Sequence, residues 1–198
     1  GLYLSAALRP ECPLAEVPAL TAWTAVAVCD AIEAVCGIRP GIKWPNDVIL
    51  GGRKLCGILT ELELEAETAA LRYVVVGIGV NVSQTEADFG PEVAPVAISL
   101  AQAFGKAPRR AEVARALLDS LDRLYAGFPR ERALWLERYR ADCLTVGQPI
   151  RVLFAAGERE GTALGVEEDF SLRVAWKDGG EEVISSGEVS VRGLLGYV

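Results

Sequence analysis

The first part of the chain contains one long apolar segment that follows a short apolar run. Residues 2–8 predict a short strand, and residues 17–35, which are rich in Ala and Val, predict a helix. Gly37 lies where a helix C-terminus favours glycine, so we expect the helix to end there. Its few polar residues fall on different faces, which indicates a helix that is buried on most sides.

A series of short strands follows this helix. Residues 42–50 predict two short strands around Pro45-Asn46-Asp47, a typical turn sequence. Gly51-Gly52 predicts a tight hairpin turn into a strand at residues 54–64. Residues 71–82 are its expected antiparallel partner. The pattern predicts an α+β fold with a mixed or antiparallel sheet and packed helices.

The second part changes from helices to short strands. After a polar loop at residues 83–95, helices are predicted at residues 109–125 and 131–143. Five short strands with glycine-rich turns follow, at residues 150–154, 161–166, 172–176, 182–185 and 188–192. This spacing is typical of a small β-barrel. We therefore expect one domain over residues 1–146 and a separable barrel over residues 147–198.

The net charge and the length of the apolar segments limit the classes of partner that the protein can bind. The net charge of −7 argues against nucleic acid, which proteins bind through clustered Lys and Arg. No segment is predicted to cross a membrane, because the most apolar one, residues 17–35, carries Thr21, Thr24, Asp30 and Glu33. We expect neither nucleic acid nor a membrane as partner.

The cysteine and histidine content limits the kinds of catalysis that the chain can perform. The 5 cysteines are scattered and contain no CxxC pair, which favours reduced thiols and a cytoplasmic location. The chain has no histidine, and this excludes Ser-His and Cys-His nucleophilic catalysis within it. Catalysis must depend on carboxylates, lysines, backbone donors and the substrate's own groups.

The most informative segment is Lys43-Trp44-Pro45-Asn46-Asp47, followed by residues 53–58. A strand ends in Pro-Asn-Asp, and a second strand then carries Lys54 and, three residues later, Gly57. Lysine acts as a point charge towards carboxylate or phosphate, and glycine allows a ligand to approach the backbone. These residues alone leave a solvated hairpin with surface charges equally open.

Three other patterns favour ordinary structural roles. Gly77-Ile78-Gly79 lacks the third glycine of a dinucleotide fingerprint, because Val82 stands in its place. The alternating acidic residues of the 54–64 strand and the turn after it predict a solvated face, with Glu61 as a structural partner for Lys54. The 4 tryptophans are expected to be packing residues.

Three ordered segments together resemble the catalytic core of biotin–protein ligases: residues 43–47 (KWPND), 54–59 (KLCGIL) and 77–82 (GIGVNV). Residues 1–5 resemble the strand after that family's glycine–arginine loop, and residues 186–189 resemble the end of its C-terminal domain. The resemblance covers essentially the whole chain. It implies a class II synthetase-like fold of the biotin/lipoate ligase type, followed by an SH3-like barrel.

The resemblance implies an ATP-dependent ligase that forms biotinyl-5′-AMP with Mg²⁺. It then transfers biotin to a lysine of a biotin carboxyl carrier protein. Lys54 is expected to bridge the biotin carboxylate and the α-phosphate, with Lys43 close by. Asp47 is expected to orient and deprotonate the acceptor lysine. The reacting carboxylate is already a nucleophile, so the first step needs charge neutralisation and alignment more than proton transfer.

The same resemblance assigns the binding residues. For biotin these are Lys54, Leu55, Gly57 and Ile58, with Leu59 as an alternative apolar contact. For the nucleotide they are Asn46, Asn81 and Lys43, since an asparagine amide offers both a donor and an acceptor. No metal ligand is assigned.

The sequence leaves alternative functions open. A lipoate or octanoyl protein ligase has a comparable lysine and Asn-Asp, although Trp44-Pro45 and the barrel favour biotin. A non-catalytic module that binds carrier domains is the alternative from another class. The sequence leaves both a monomer and a homodimer open. The family's glycine–arginine loop precedes the strand at residues 2–8, so no residue of this chain is assigned to it. The loop either precedes Gly1 in the native protein or is supplied by another chain, and we expect activity to require it.

Overall fold

The computed structural model describes residues 1–154, residues 157–185 and the backbone of residues 190–193. In the first part of the chain the elements are β1 (Leu2–Leu8), α1 (Ala19–Cys36), β2 (Gly41–Lys43), β3 (Asp47–Leu50), β4 (Arg53–Leu64), β5 (Leu71–Val80), α2 (Glu86–Phe89), α3 (Leu100–Phe104), α4 (Arg110–Gly127) and α5 (Arg132–Asp142). In the second part they are β6 (Pro149–Phe154), β7 (Gly157–Val166), β8 (Leu172–Trp176), β9 (Glu181–Ile184) and β10 (Ser190–Gly193).

The first sheet has the order β1-β5-β4-β3-β2, and its neighbouring strands are antiparallel. The predicted strands on both sides of Pro45-Asn46-Asp47 and the predicted β4–β5 pair are confirmed. Gly51 and Gly52 have φ values of 57° and 73°. Both values lie in the left-handed region that a two-residue hairpin turn requires, so glycine is favoured at both positions.

Helix α1 packs against β2, β3 and β4 and forms the centre of the core. It ends at Gly37, with φ 71°, as predicted. By length and composition alone, Leu14–Cys36 is apolar enough to span a membrane, with a mean hydropathy of 1.5, which corrects the expectation from the sequence. In the structure 67% of this window is buried inside the protein. The segment therefore behaves as the core helix that its polar residues predicted.

Helices α4 and α5 cover the other side of α1. Trp23 stacks on Trp135 at a centroid distance of 4.9 Å and meets Phe128 edge-on, also at 4.9 Å. The tryptophans are buried packing residues, as predicted. The sequence missed the short helices α2 and α3, each of which begins with a capping box, at Thr85 and Ser99.

The second sheet has the order β10-β6-β7-β8-β9 and is also antiparallel. This confirms the predicted fold class, an α+β unit followed by the strands of a small barrel. β7 begins at Gly157, earlier than predicted. Residues 186–189, which resembled the family's C-terminal domain, lie outside the described residues.

The turn between β7 and β8 contacts the first unit directly. Trp44 Nε1 donates to the Phe170 carbonyl at 2.8 Å, and Arg140 Nε donates to the Val166 carbonyl at 2.8 Å. Arg132 donates to the Glu168 carbonyl through Nε and one terminal nitrogen. The Trp44 contact is buried, the Arg140 contact is partly buried and the Arg132 contacts are exposed. Separability of the C-terminal strands stays a prediction.

Candidate active site

A pocket of about 400 Å³ lies on the face of the first sheet opposite α1. Its floor is made by glycines on two paired strands, because Gly57 of β4 is opposite Gly79 of β5, and Gly77 is opposite Leu59. The lining residues are Tyr3, Leu4, Ser5, Asn46, Asp47, Lys54, Gly57, Ile58, Leu59, Gly77, Ile78 and Gly79. Where side chains are missing, a ligand can lie directly on the strand backbones.

A β-bulge places Lys54 in this pocket. Val48 pairs with Cys56 and Ile49 pairs with Lys54, so Leu55 is an extra residue in β4. Leu55 and Cys56 are both fully buried, whereas Lys54 and Gly57 face the pocket together. The segment after α2 fixes the Lys54 backbone, because the Lys54 N–H donates to the Val96 carbonyl at 2.7 Å.

Asp47 lies between two lysines. Its Oδ1 is 2.5 Å from Lys54 Nζ, and its Oδ2 is 4.0 Å from Lys43 Nζ. The Lys43 side chain is 4% exposed and the Lys54 side chain is 37% exposed. One cation is therefore buried behind the carboxylate, and the other is accessible from the pocket.

Asn46 is fixed to the β4 strand. Its Nδ2 donates to the Ile58 carbonyl at 2.6 Å, and the Ile58 N–H donates to the Asn46 carbonyl at 3.2 Å. These two bonds hold the turn that carries Asp47 above Gly57. The structure thus brings together the predicted residues Lys43, Asn46, Asp47, Lys54, Gly57 and Ile58.

Asn81 lies just past β5 and does not line this pocket. Its Nδ2 donates to the carbonyls of Lys54, at 3.3 Å, and Ile98, at 3.1 Å. Its Oδ1 accepts from Gln84 Nε2 at 3.3 Å. Asn81 thus connects the start of β4 to the chain before α3, and a nucleotide contact for it stays a prediction.

Two apolar assignments change. The Leu55 side chain is fully buried in the core because of the bulge, so it does not reach the pocket, in contrast to the prediction. Leu59, the alternative apolar contact, is 61% exposed and lines the pocket. Ile58 lines the pocket although its side chain is buried, so its backbone is the part that faces the pocket. A contact of Ile58 with biotin stays a prediction.

Sequence reasoning missed Tyr3, Ser5, Gly77 and Gly79 as pocket residues. Tyr3 and Ser5 enter through strand register, opposite Gly79 and Gly77. The alternating glycines of β5 were the available signal, because they must share a face. The prediction that Glu61 is the structural partner of Lys54 is wrong, because Lys54 forms its ion pair with Asp47.

The chemistry of the site rests on charge. Burial raises the pKa of the Cys56 thiol to about 12, so Cys56 is a neutral core residue beneath the pocket. Within residues 1–154 and 157–185, no group of His, Cys, Asp and Glu could hold a metal ion. An accessible lysine above a glycine floor, with a carboxylate at its side, suits the binding of a small anionic molecule.

Comparisons with known proteins identify the family to which the chain belongs. Residues 1–81 match the model of the biotin/lipoate A/B protein ligase family. The chain is 32% identical over 192 residues to the biotin–[acetyl-CoA-carboxylase] ligase of Paracoccus denitrificans, covering 92% of this chain and 76% of that protein. The chain therefore belongs to the biotin–protein ligases of this family.

Two further relatives agree with this assignment. Bifunctional ligase/repressor BirA of Bacillus spizizenii is 38% identical over 191 residues, covering 94% of this chain and 57% of that relative's length. The chain thus spans little more than half of the Bacillus protein. The structure of biotin protein ligase from Aquifex aeolicus in complex with biotin and ATP superposes with a TM-score of 0.79, at 27% identity, covering 96% of this chain and 78% of that one.

Proposed function

We propose that the protein activates biotin with ATP to biotinyl-5′-AMP and transfers biotin to a lysine of a biotin carboxyl carrier protein. The observation that carries this proposal is the Lys54–Asp47 pair at the edge of the glycine-floored pocket. The biotin ligase names of the relatives, and the biotin and ATP bound to the Aquifex protein, support it.

In the first step the biotin carboxylate attacks the α-phosphate of ATP. An O–P bond forms, the bond from the α-phosphorus to the bridging oxygen breaks, and pyrophosphate leaves with the bond's electron pair. No proton has to move, so the protein's task is alignment and neutralisation of negative charge. Lys54 has the exposure needed to contact both anions, and buried Lys43 adds positive charge behind Asp47.

Biotin is assigned to the glycine floor. The backbones of Gly57 and Ile58 face its ureido end, and Leu59 supplies the apolar contact. Asn46 and Lys43 are assigned to nucleotide binding. Asn81 is assigned to it as well, as a residue that fixes the Lys54 backbone. Among the residues that the structure describes, Asp47 is the one carboxylate lining the pocket, and it is ion-paired. These residues therefore do not form a Mg²⁺ site, and Mg²⁺ enters as part of the substrate MgATP.

In the second step the acceptor lysine attacks the acyl carbon, and AMP leaves. A free lysine has a pKa of about 10.4, so it must lose a proton first. Asp47 is the carboxylate at the pocket that can orient the amine and take the proton. Binding of the adenylate attracts Lys54 towards the ligand's anionic oxygens, which leaves Asp47 Oδ1 available to the incoming amine.

The proposal divides the chain by role. Residues 1–146 form the catalytic part and residues 147–198 form the SH3-like barrel, and the protein acts in the cytoplasm on a carrier protein. β6 begins at Pro149, and the pocket residues all precede residue 80, which supports this division.

Binding of labelled biotin with and without ATP tests the proposal on the full-length protein. A biotin–protein ligase retains labelled biotin as the adenylate only when ATP is present, and excess lipoate or octanoate does not displace it. Competition by lipoate or octanoate would indicate a lipoate or octanoyl ligase. ATP-independent carrier binding without retention of biotin would indicate a binding module.

A further inference from the structure

The segment that carries Asp47 is fixed by distant parts of the chain. The Trp44 N–H donates to Thr145 Oγ1 at 2.9 Å, and its indole Nε1 donates to the Phe170 carbonyl at 2.8 Å. The Tyr139 hydroxyl donates to the Pro45 carbonyl at 2.9 Å. The partners come from α5, from the chain after it and from the β7–β8 turn.

The acceptor for the indole is held in place on both sides. Phe170 has φ 66°, in the left-handed region, and its ring meets Tyr139 edge-on at 5.6 Å. The turn is closed by the Glu167 N–H, which donates to the Ser171 carbonyl at 2.9 Å. A residue in this conformation persists only where its surroundings determine it, so the turn presents a fixed carbonyl to Trp44.

The two Trp44 hydrogen bonds are buried, and a cavity lies beside the segment. Trp44 is 1% exposed, so losing a partner leaves a polar group unsatisfied in the interior. A cavity of about 110 Å³ lies behind Pro45, lined in part by Tyr139 and Phe170. Without the two Trp44 bonds, the 44–47 segment can shift towards this cavity and carry Asp47 away from Lys54.

We propose that two separate contacts to Trp44, one from the β7–β8 turn and one from Thr145, position Asp47. The inference rests on the proposed function, because it concerns the same site. Trp44, Thr145 and Phe170 do not line the pocket, so they are positioning residues. A displacement of about 1 Å at reacting groups can cost 10²-fold in rate, so a modest shift is sufficient.

The test uses four variants of the full-length protein, one of them a matched control. Thr145→Val keeps the side-chain shape and removes the acceptor for the Trp44 N–H, and Thr145→Ser restores a hydroxyl. Trp44→Phe removes the indole donor. Trp176→Phe is the matched control, because it also removes an indole donor from a buried tryptophan, one bonded to Glu182 at 2.9 Å within the second sheet.

For each variant we measure hydrogen exchange and steady-state pyrophosphate release with a carrier domain present, so that every turnover includes the transfer step. We expect Thr145→Val and Trp44→Phe to lower kcat by about 10-fold to 100-fold, with KM for biotin changed less than about 3-fold, since the floor is untouched. The amides of Trp44, Asn46 and Asp47 exchange faster, Thr145→Ser recovers kcat, and Trp176→Phe leaves both readouts near wild type.

The outcomes separate this inference from the proposed function. If Thr145→Val keeps the wild-type kcat and amide exchange, or loses no more activity than Trp176→Phe, the positioning role is overturned. If wild type releases no pyrophosphate with biotin, the proposed function fails, and the amide exchange in Thr145→Val then decides the positioning role alone. If Trp44→Phe does not fold, Thr145→Val decides the question.

Discussion

Lys54 Nζ lies 2.5 Å from Asp47 Oδ1, across the mouth of a pocket whose floor is glycine. The pair neutralises itself when no ligand is present, and Lys43 keeps a second positive charge 4.0 Å from the other carboxylate oxygen. An anionic ligand that contacts Lys54 therefore changes the surroundings of Asp47 as well. This link connects the two half-reactions of the proposed ligase.

Lys54→Ala is expected to abolish biotinyl-AMP formation while the protein stays folded. The side chain is 37% exposed, so its loss leaves no cavity in the core, whereas the reacting oxygens lose their nearest cation. Single-turnover adenylate formation and a thermal unfolding curve measure the two effects. Arg53→Ala is the control, because Arg53 is the neighbouring cation and does not line the pocket. Unchanged adenylate formation in Lys54→Ala would remove Lys54 from the mechanism.

Asp47→Asn should slow transfer far more than adenylation. General-base assistance is worth about 10²–10⁴-fold, and asparagine keeps the size of aspartate without its charge. Preformed biotinyl-AMP is supplied to the full-length protein, and transfer to a carrier domain is followed. The variant should transfer biotin at least about 10²-fold more slowly than wild type, while its rate of adenylation changes far less. A variant defective only in adenylation would place Asp47 in nucleotide binding instead.

Gly57→Ala should impair adenylation through Lys54. A Cβ at residue 57 would lie 3.1 Å from Lys54 Cε and 3.2 Å from its Nζ, so the ammonium has to move by a few tenths of an ångström. We expect a rate about 10-fold lower, measured by adenylate formation. The fold should be retained, because the end of a lysine side chain can move.

Gly77→Ala is the matched variant for Gly57→Ala. Its Cβ would meet only the Leu59 carbonyl, at 3.6 Å, an ordinary contact distance. Raising the floor there should weaken biotin binding without displacing Lys54, so KM for biotin rises and kcat changes less than in Gly57→Ala. Equal kcat losses in both variants would contradict a specific effect on Lys54.

Cys56 should make the fold sensitive to alkali. Burial raises its thiol pKa from 9.0 to about 12. The unfolded chain therefore releases this proton first, and the stability that Cys56 contributes is complete below pH 9 and is lost between pH 9 and about 12. One proton gives a slope of up to about 1.4 kcal/mol per pH unit. Urea unfolding from pH 8 to 11 should show a smaller decline for Cys56→Ala, and identical declines would contradict the assignment.

Much of the first sheet was predictable because its signals are local. Gly51-Gly52 and the alternation along β4 and β5 fix the hairpins, and Gly37 fixes the end of α1. The bulge at Leu55 was not predictable, since Leu55 and Cys56 are both apolar and either could have faced the core. That single uncertainty explains why Leu55 was assigned to the pocket in place of Leu59.

The charged residues of the site were predicted because they follow one another closely along the chain, in three consecutive strands. Tyr3 and Ser5 were not, since they enter the pocket through pairing with β5, more than 70 residues later in the chain. The bond from Trp44 to Phe170 spans 126 positions and depends on the packing of two units. No local pattern carries such information, so tertiary contacts of this kind had to come from the structure.

The most direct test of the central claim is ATP–pyrophosphate exchange by the full-length protein. Labelled pyrophosphate should enter ATP only when biotin is added, because the reversible first step requires the biotin carboxylate as nucleophile. Lys54→Ala should reduce the exchange to background, and Arg53→Ala should retain it. Exchange that proceeds without biotin, or that survives Lys54→Ala unchanged, would contradict the account.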